Sequence, residues 1–98
     1  MISSTANAKV KRLRQLHKKG RLREQEGVFV IEGIRMFEET PRDQIEEIYI
    51  SESFLNGKGK ALLGGLPAEV MADHVFLQAA DTKTPQGILG IVKRRQYD

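Results

Sequence analysis

What most constrains this chain is alternation: short β-branched or aromatic runs take turns with segments of helical spacing along its 98 residues. The clearest run, Val28-Phe29-Val30-Ile31, has no polar break and stops just before Gly33. Such a run predicts a strand buried on both faces, as in a sheet sandwiched by helices. "IRMFEE" then predicts a helix stopped by Pro41. "EEIYIS" is a second strand, and "ESFLNGKGKALLGG" a helix broken or frayed at Gly57 and Gly59. "AEVMA" is a third strand, "DHVFLQAAD" a helix behind an Asp73 cap, and "GILGIVKR" a fourth strand. Strand–helix alternation in so short a chain gives one α/β domain, with helices on both faces of a small, mostly parallel or mixed sheet. No internal repeat or low-complexity tract interrupts it.

Ahead of this pattern lies "AKVKRLRQLHKKGRLR", residues 8–23, with eight lysines and arginines and no acid. Its positive charge of +8 contrasts with −5 for the rest of the chain, where eight bases face thirteen acids. Val10, Leu13 and Leu16 fall at i, i+3 and i+6, a narrow apolar stripe on an otherwise charged helix. Asn7 is the expected N-cap and Gly20 the expected stop, with Arg21 and Arg23 on the connection beyond. This predicts a weakly anchored helix that docks by one thin edge. Like charges packed so closely repel one another until a polyanion neutralises them, which favours nucleic acid over an acidic protein partner. A membrane surface fits poorly, because the apolar stripe is thin and lacks an aromatic residue.

Several chemistries are excluded or disfavoured. With no cysteine the chain has no disulfide, thiolate metal site or cysteine nucleophile, and a cytoplasmic location is expected. No apolar run approaches the ~20 residues of a bilayer span, and the start of the chain lacks the apolar core of a signal peptide. Gly57 and Gly59 begin a Gly-x-Gly, but Leu62 stands where a dinucleotide fingerprint needs a third glycine, and no P-loop triplet occurs. His17 and His74 lie in separate segments without a ligand-like partner spacing, so no metal is expected. His74 is read as a first-turn helix residue and His17 as one more polar group on the basic face.

Two stretches remain. In "EGIR" a strand end, Gly33 and a helix start coincide, so the first-turn N–H groups could meet a phosphate and Arg35 could point back to it. The same residues also fit a plain tight turn, with Glu32 as a helix cap. In "DTKTPQG", Pro85 and Gly87 suit a turn before the last strand.

Taken in order, "NAKVKRLRQL", "GVFVIEGIRMFEE", "IEEIYIS" and "DTKTPQGILGIV" resemble the N-terminal substrate-binding domain of SpoU (TrmH-type) RNA ribose 2′-O-methyltransferases. One departure is Ala8, where many members carry proline. The resemblance implies a three-layer α/β/α sandwich with a mixed sheet of about four strands, related to the ribosomal proteins that bind kink-turn RNA. It divides the chain into a basic helix and connection, residues 1–26, and an RNA-binding domain, residues 27–98. Combined with the charge block, it leads to the expectation of contact with folded RNA, ribosomal or transfer, with Lys9, Lys11, Arg12, Arg14, Lys18, Lys19, Arg21 and Arg23 supplying the charge. Glu32, Gly33, Arg35, Thr84 and Gln86 complete that expected set. No catalytic residue is expected here. S-adenosylmethionine, the knotted catalytic domain that binds it, and the dimer interface would all lie outside this chain. The alternative is a free-standing RNA-binding protein of the ribosomal type, without catalysis.

Overall fold

The computed structural model describes residues 1–94; residues 95–98, which the second of the two expected segments includes, lie outside the described part. Four strands form one open sheet in the order β1 (Val28–Glu32), β4 (Ile88–Lys93), β2 (Ile45–Ser51), β3 (Glu69–Met71). β4 runs antiparallel to both β1 and β2, whereas β2 and β3 are parallel. The three other strands therefore point the same way, and their carboxyl ends share one edge of the sheet with the start of β4.

Period-two alternation distributes side chains to two faces. Tyr49, Leu89 and Ile91 enter one core with Val10, Leu13 and Leu16 of α1 (Ala8–Lys18) and Val75, Phe76 and Ala79 of α6 (Asp73–Ala79). Ile48, Ile50 and Ile88 enter the other, with Phe37 of α3 (Ile34–Glu39) and Leu63 of α5 (Lys60–Leu63). Helices thus cover both faces, giving the expected three-layer α/β/α arrangement with a mixed sheet.

Four local expectations change. The strand buried on both faces is β4, where Ile88 to Val92 are all buried, while β1 lies at an edge with Phe29 and Val30 only half-buried. The basic helix does stop just ahead of Gly20, at Lys18, but the expected connection is a second helix, α2 (Gly20–Glu26), which carries Arg21 and Arg23. Asp73 is the first residue of α6, not its cap, and its carboxylate turns instead to Ser53 of α4 (Glu52–Phe54). The helix after β2 breaks at Gly57 as expected, where ψ is −115°, but not at Gly59, whose backbone is helical. Gly59 instead allows close packing, since a Cβ there would stand 2.6 Å from Ile50 Cδ1.

The largest difference concerns α1. Asn7 caps it as expected, accepting the Lys9 N–H at 2.8 Å. Its stripe, however, is a full layer of the core: Val10, Leu13 and Leu16 are each 0% exposed. A stripe of three residues looks thin in sequence, but α6 and the sheet close around it from both sides. Ahead of the helix, Ile2 bridges to Met71 and exchanges main-chain hydrogen bonds with Val70 and Ala72, which ties the start of the chain to the β3 edge.

Candidate nucleic-acid interface

The carboxyl edge of the sheet gathers residues that are far apart in sequence. β1 ends at Glu32, the chain turns at Gly33 (φ 92°, ψ 165°), and α3 begins. Opposite lies the loop 80–87 between α6 and β4. Gly33 N–H donates to the Ile88 carbonyl at 2.9 Å, and Ser51 N–H to the Gly87 carbonyl at 2.8 Å, so the loop is stitched to both neighbouring strand ends.

Gln86 and Gly33 form the centre of this contact. The Gln86 side-chain oxygen accepts the Ile34 N–H at 2.7 Å, so the cap of α3 comes from a residue 52 positions away. Gly33 makes that possible, because a Cβ there would lie 2.8 Å from the same oxygen and the backbone is in a region side chains avoid. Glu32 is thereby free of capping. Its carboxylate accepts the Asp81 N–H at 3.1 and 3.2 Å. A cleft of about 200 Å³ opens here, lined by Glu32, Gly33, Thr82, Thr84 and Gln86.

His17 joins α1 to this edge, a role its isolation in sequence concealed. Its Nε2 lies 2.9 Å from the Ala79 carbonyl, which can only accept, so this nitrogen carries the proton. The same nitrogen is 3.9 Å from the Glu32 carboxylate. Asp81 completes a cluster of side-chain atoms within 4.8 Å of one another. These hydrogen bonds of His17 and Glu32 join α1, α6, β1 and the loop.

The eight cations of residues 8–23 divide in two. Arg12 is bound by Glu26 at 2.7 Å and Glu47 at 2.8 Å, and these bonds raise its pKa above the ordinary arginine value. Lys9 pairs with Glu69 and holds that carboxyl below its usual range. Arg23 reaches back to the Leu16 and His17 carbonyls, closing the end of α1. These three serve the fold. Lys11, Arg14, Lys18, Lys19 and Arg21 are exposed and have no acidic partner among the described residues. Lys11, Arg14 and Lys18 follow i, i+3, i+7 spacing and so share the outer face of α1.

Arg35 stands apart from the cleft. It lies on the outside of α3, 90% exposed, in an i,i+4 pair with Glu39 at 3.1 Å. Sequence reading also passed over Lys83, an exposed cation within the loop and without an acidic partner among the described residues. His74 is an exposed first-turn residue of α6, as read from the sequence.

This architecture is that of RNA-methyltransferase structures already solved. An RNA 2′-O ribose methyltransferase matches with a TM-score of 0.81 at 24% identity, covering 99% of this chain and 38% of that one. An rRNA methyltransferase from Sinorhizobium meliloti matches at 0.69 and 20% identity, and its AdoMet-bound form at 0.72 and 18%, each over 98% of this chain and 37% of theirs. At such identities the likeness establishes the fold, and this chain spans less than two fifths of those proteins. The sequence itself matches the MRM3-like substrate binding domain over residues 7–90, and the chain belongs to that family. No curated protein matches it in sequence.

Proposed function

We propose that this chain is the RNA-recognition domain of an S-adenosylmethionine-dependent RNA 2′-O-ribose methyltransferase acting on ribosomal RNA, with its catalytic domain and dimer interface outside these residues. The family match over residues 7–90 and the fold shared with solved RNA methyltransferases support this reading. The observation that carries it is the set of five exposed cations on α1, α2 and the Lys19 cap between them, which have no acidic partner among the described residues. No residue of this chain is assigned to S-adenosylmethionine.

In this reading Lys11, Arg14, Lys18, Lys19 and Arg21 neutralise phosphates, and the Gly33–Gln86 edge sets the register of the RNA. Phosphate contacts position without specifying sequence, which suits a domain whose task is to present one ribose 2′-hydroxyl to a separate catalytic unit. The whole-chain affinity for stem-loop RNA, measured against salt, tests it. Log affinity should fall with log salt at a slope of about −3.5 to −4.5, for five phosphates neutralised at the single-strand or duplex value. Lys11→Glu, Arg14→Glu and Lys18→Glu together should flatten that slope by more than half. An unchanged slope would move RNA off α1 and return the helix to a docking role for another protein.

A further inference from the structure

We infer that the cleft at the carboxyl end of β2 is a nucleobase pocket, which takes one unstacked RNA base with its polar edge between Asp73 and Gln86. The inference rests on the RNA reading above and extends it from phosphate to base. The cleft, of about 400 Å³, adjoins the Gly33–Gln86 cleft and shares Pro85 and Gln86 with it.

Phe54, Phe76, Leu77 and Pro85 give it apolar surface, and Ser51, Ser53, Asp73 and Gln86 give it a polar side. Leu77 is 49% exposed, one of three large hydrophobic side chains so open among the described residues. Gly87 lets the loop close on the Phe54 wall, since a Cβ at that position would sit 2.5 Å from Phe54 Cβ.

Asp73 and Gln86 are both held in place. The Asp73 carboxylate accepts the Ser53 N–H at 3.0 Å and the Ser53 hydroxyl, which keeps it ionised and an acceptor only. Gln86 has its oxygen committed to Ile34 N–H, so the orientation of its carboxamide is set. Both amide hydrogens are then free donors without a partner among the described residues.

A cleft with apolar surface on one side and a set acceptor and donor on the other complements a nucleobase, whose edge places an N–H beside a carbonyl or ring-nitrogen acceptor. Phosphate does not fit, because Asp73 lines the cleft and no lysine or arginine does. An apolar peptide side chain would cover the free Gln86 amide without satisfying it and would desolvate the Asp73 charge. Sequence-specific RNA readers commonly take unstacked loop bases in this manner.

Four stem-loop RNAs with one common stem and loops of A, C, G or U only, together with the loopless duplex, test the pocket by fluorescence anisotropy on the whole chain. Wild type should prefer at least one loop over the duplex. Leu77→Asp and Asp73→Asn should each weaken that loop by about tenfold, the order of one stacked base, and leave duplex affinity and salt slope unchanged. Duplex and loops bound equally by wild type would overturn the pocket while the RNA reading stands. Loop preference surviving both variants would overturn it too. Failure to bind any of the five RNAs would bring down both readings.

Discussion

The side-chain oxygen of Gln86 accepts the main-chain N–H of Ile34 at 2.7 Å, across 52 residues of sequence, and Gly33 leaves the space for it. That single bond caps α3 and orients the loop that faces the proposed RNA. Gln86→Ala should cost about 1 kcal/mol in denaturant unfolding, as loss of a cap does. Gln86→Glu keeps an acceptor and should leave stability near wild type, yet weaken RNA binding because it removes the amide donors and adds charge. Gly33→Ala should destabilise more than Gln86→Ala, by about 2 kcal/mol, from the combination of positive φ and collision with the Gln86 oxygen. A stable Gly33→Ala protein with intact RNA affinity would remove this contact from the site.

The burial of Val10, Leu13 and Leu16 makes α1 part of the folding unit. Leu13→Ala should cost 2–5 kcal/mol, roughly the range for fully buried leucines. Deleting residues 1–23 should abolish cooperative melting, because one face of the sheet would then lose its cover beside α6. A cooperative calorimetric transition in the deleted chain would show that the domain begins after the basic region.

Arg35→Ala offers the contrasting case. Its pair with Glu39 is exposed and worth little, so melting should be unchanged within about 0.5 kcal/mol. If Arg35 swings to a phosphate on binding, RNA affinity should fall by about 1 kcal/mol with a shallower salt slope. Unaltered affinity and slope would assign Arg35 to its surface pair alone.

Tyr49 carries a pH dependence of known sign. Burial first, and the hydrogen bond it donates to Glu47 second, raise its pKa above the ordinary tyrosine value. The folded state therefore keeps a proton that the unfolded chain gives up near pH 10, so this stabilisation is complete below pH ~10 and lost progressively above it. Unfolding free energy should fall through that alkaline range. Tyr49→Phe should lose about 1 kcal/mol at neutral pH with the Glu47 bond, and show a flatter alkaline limb. Equal alkaline slopes in the two proteins would refute the assignment.

The sequence by itself determined the class of fold. Hydrophobic period is local physics, so the alternation of runs such as Val28–Ile31 with segments such as Ile34–Glu39 could be read without coordinates, as could the Asn7 cap. The charge block of residues 8–23 and the order of its accompanying stretches pointed to RNA in the same way, because charge density needs no tertiary information. Which of those charges are available did. Arg12 and Lys9 find acids 14 to 60 residues distant, and Arg23 turns back on α1, through contacts that exist only once the chain has folded. The edge position of β1, the depth of α1 and the meeting of His17, Glu32 and Asp81 were likewise tertiary decisions. A strand's place in the sheet and a helix's burial depend on what packs against them, and hydrophobic spacing reports only that some face is covered. The Gln86–Ile34 bond is the sharpest instance: nothing local to either residue announces a partner, and only the antiparallel return of β4 beside β1 brings the loop to the helix it caps.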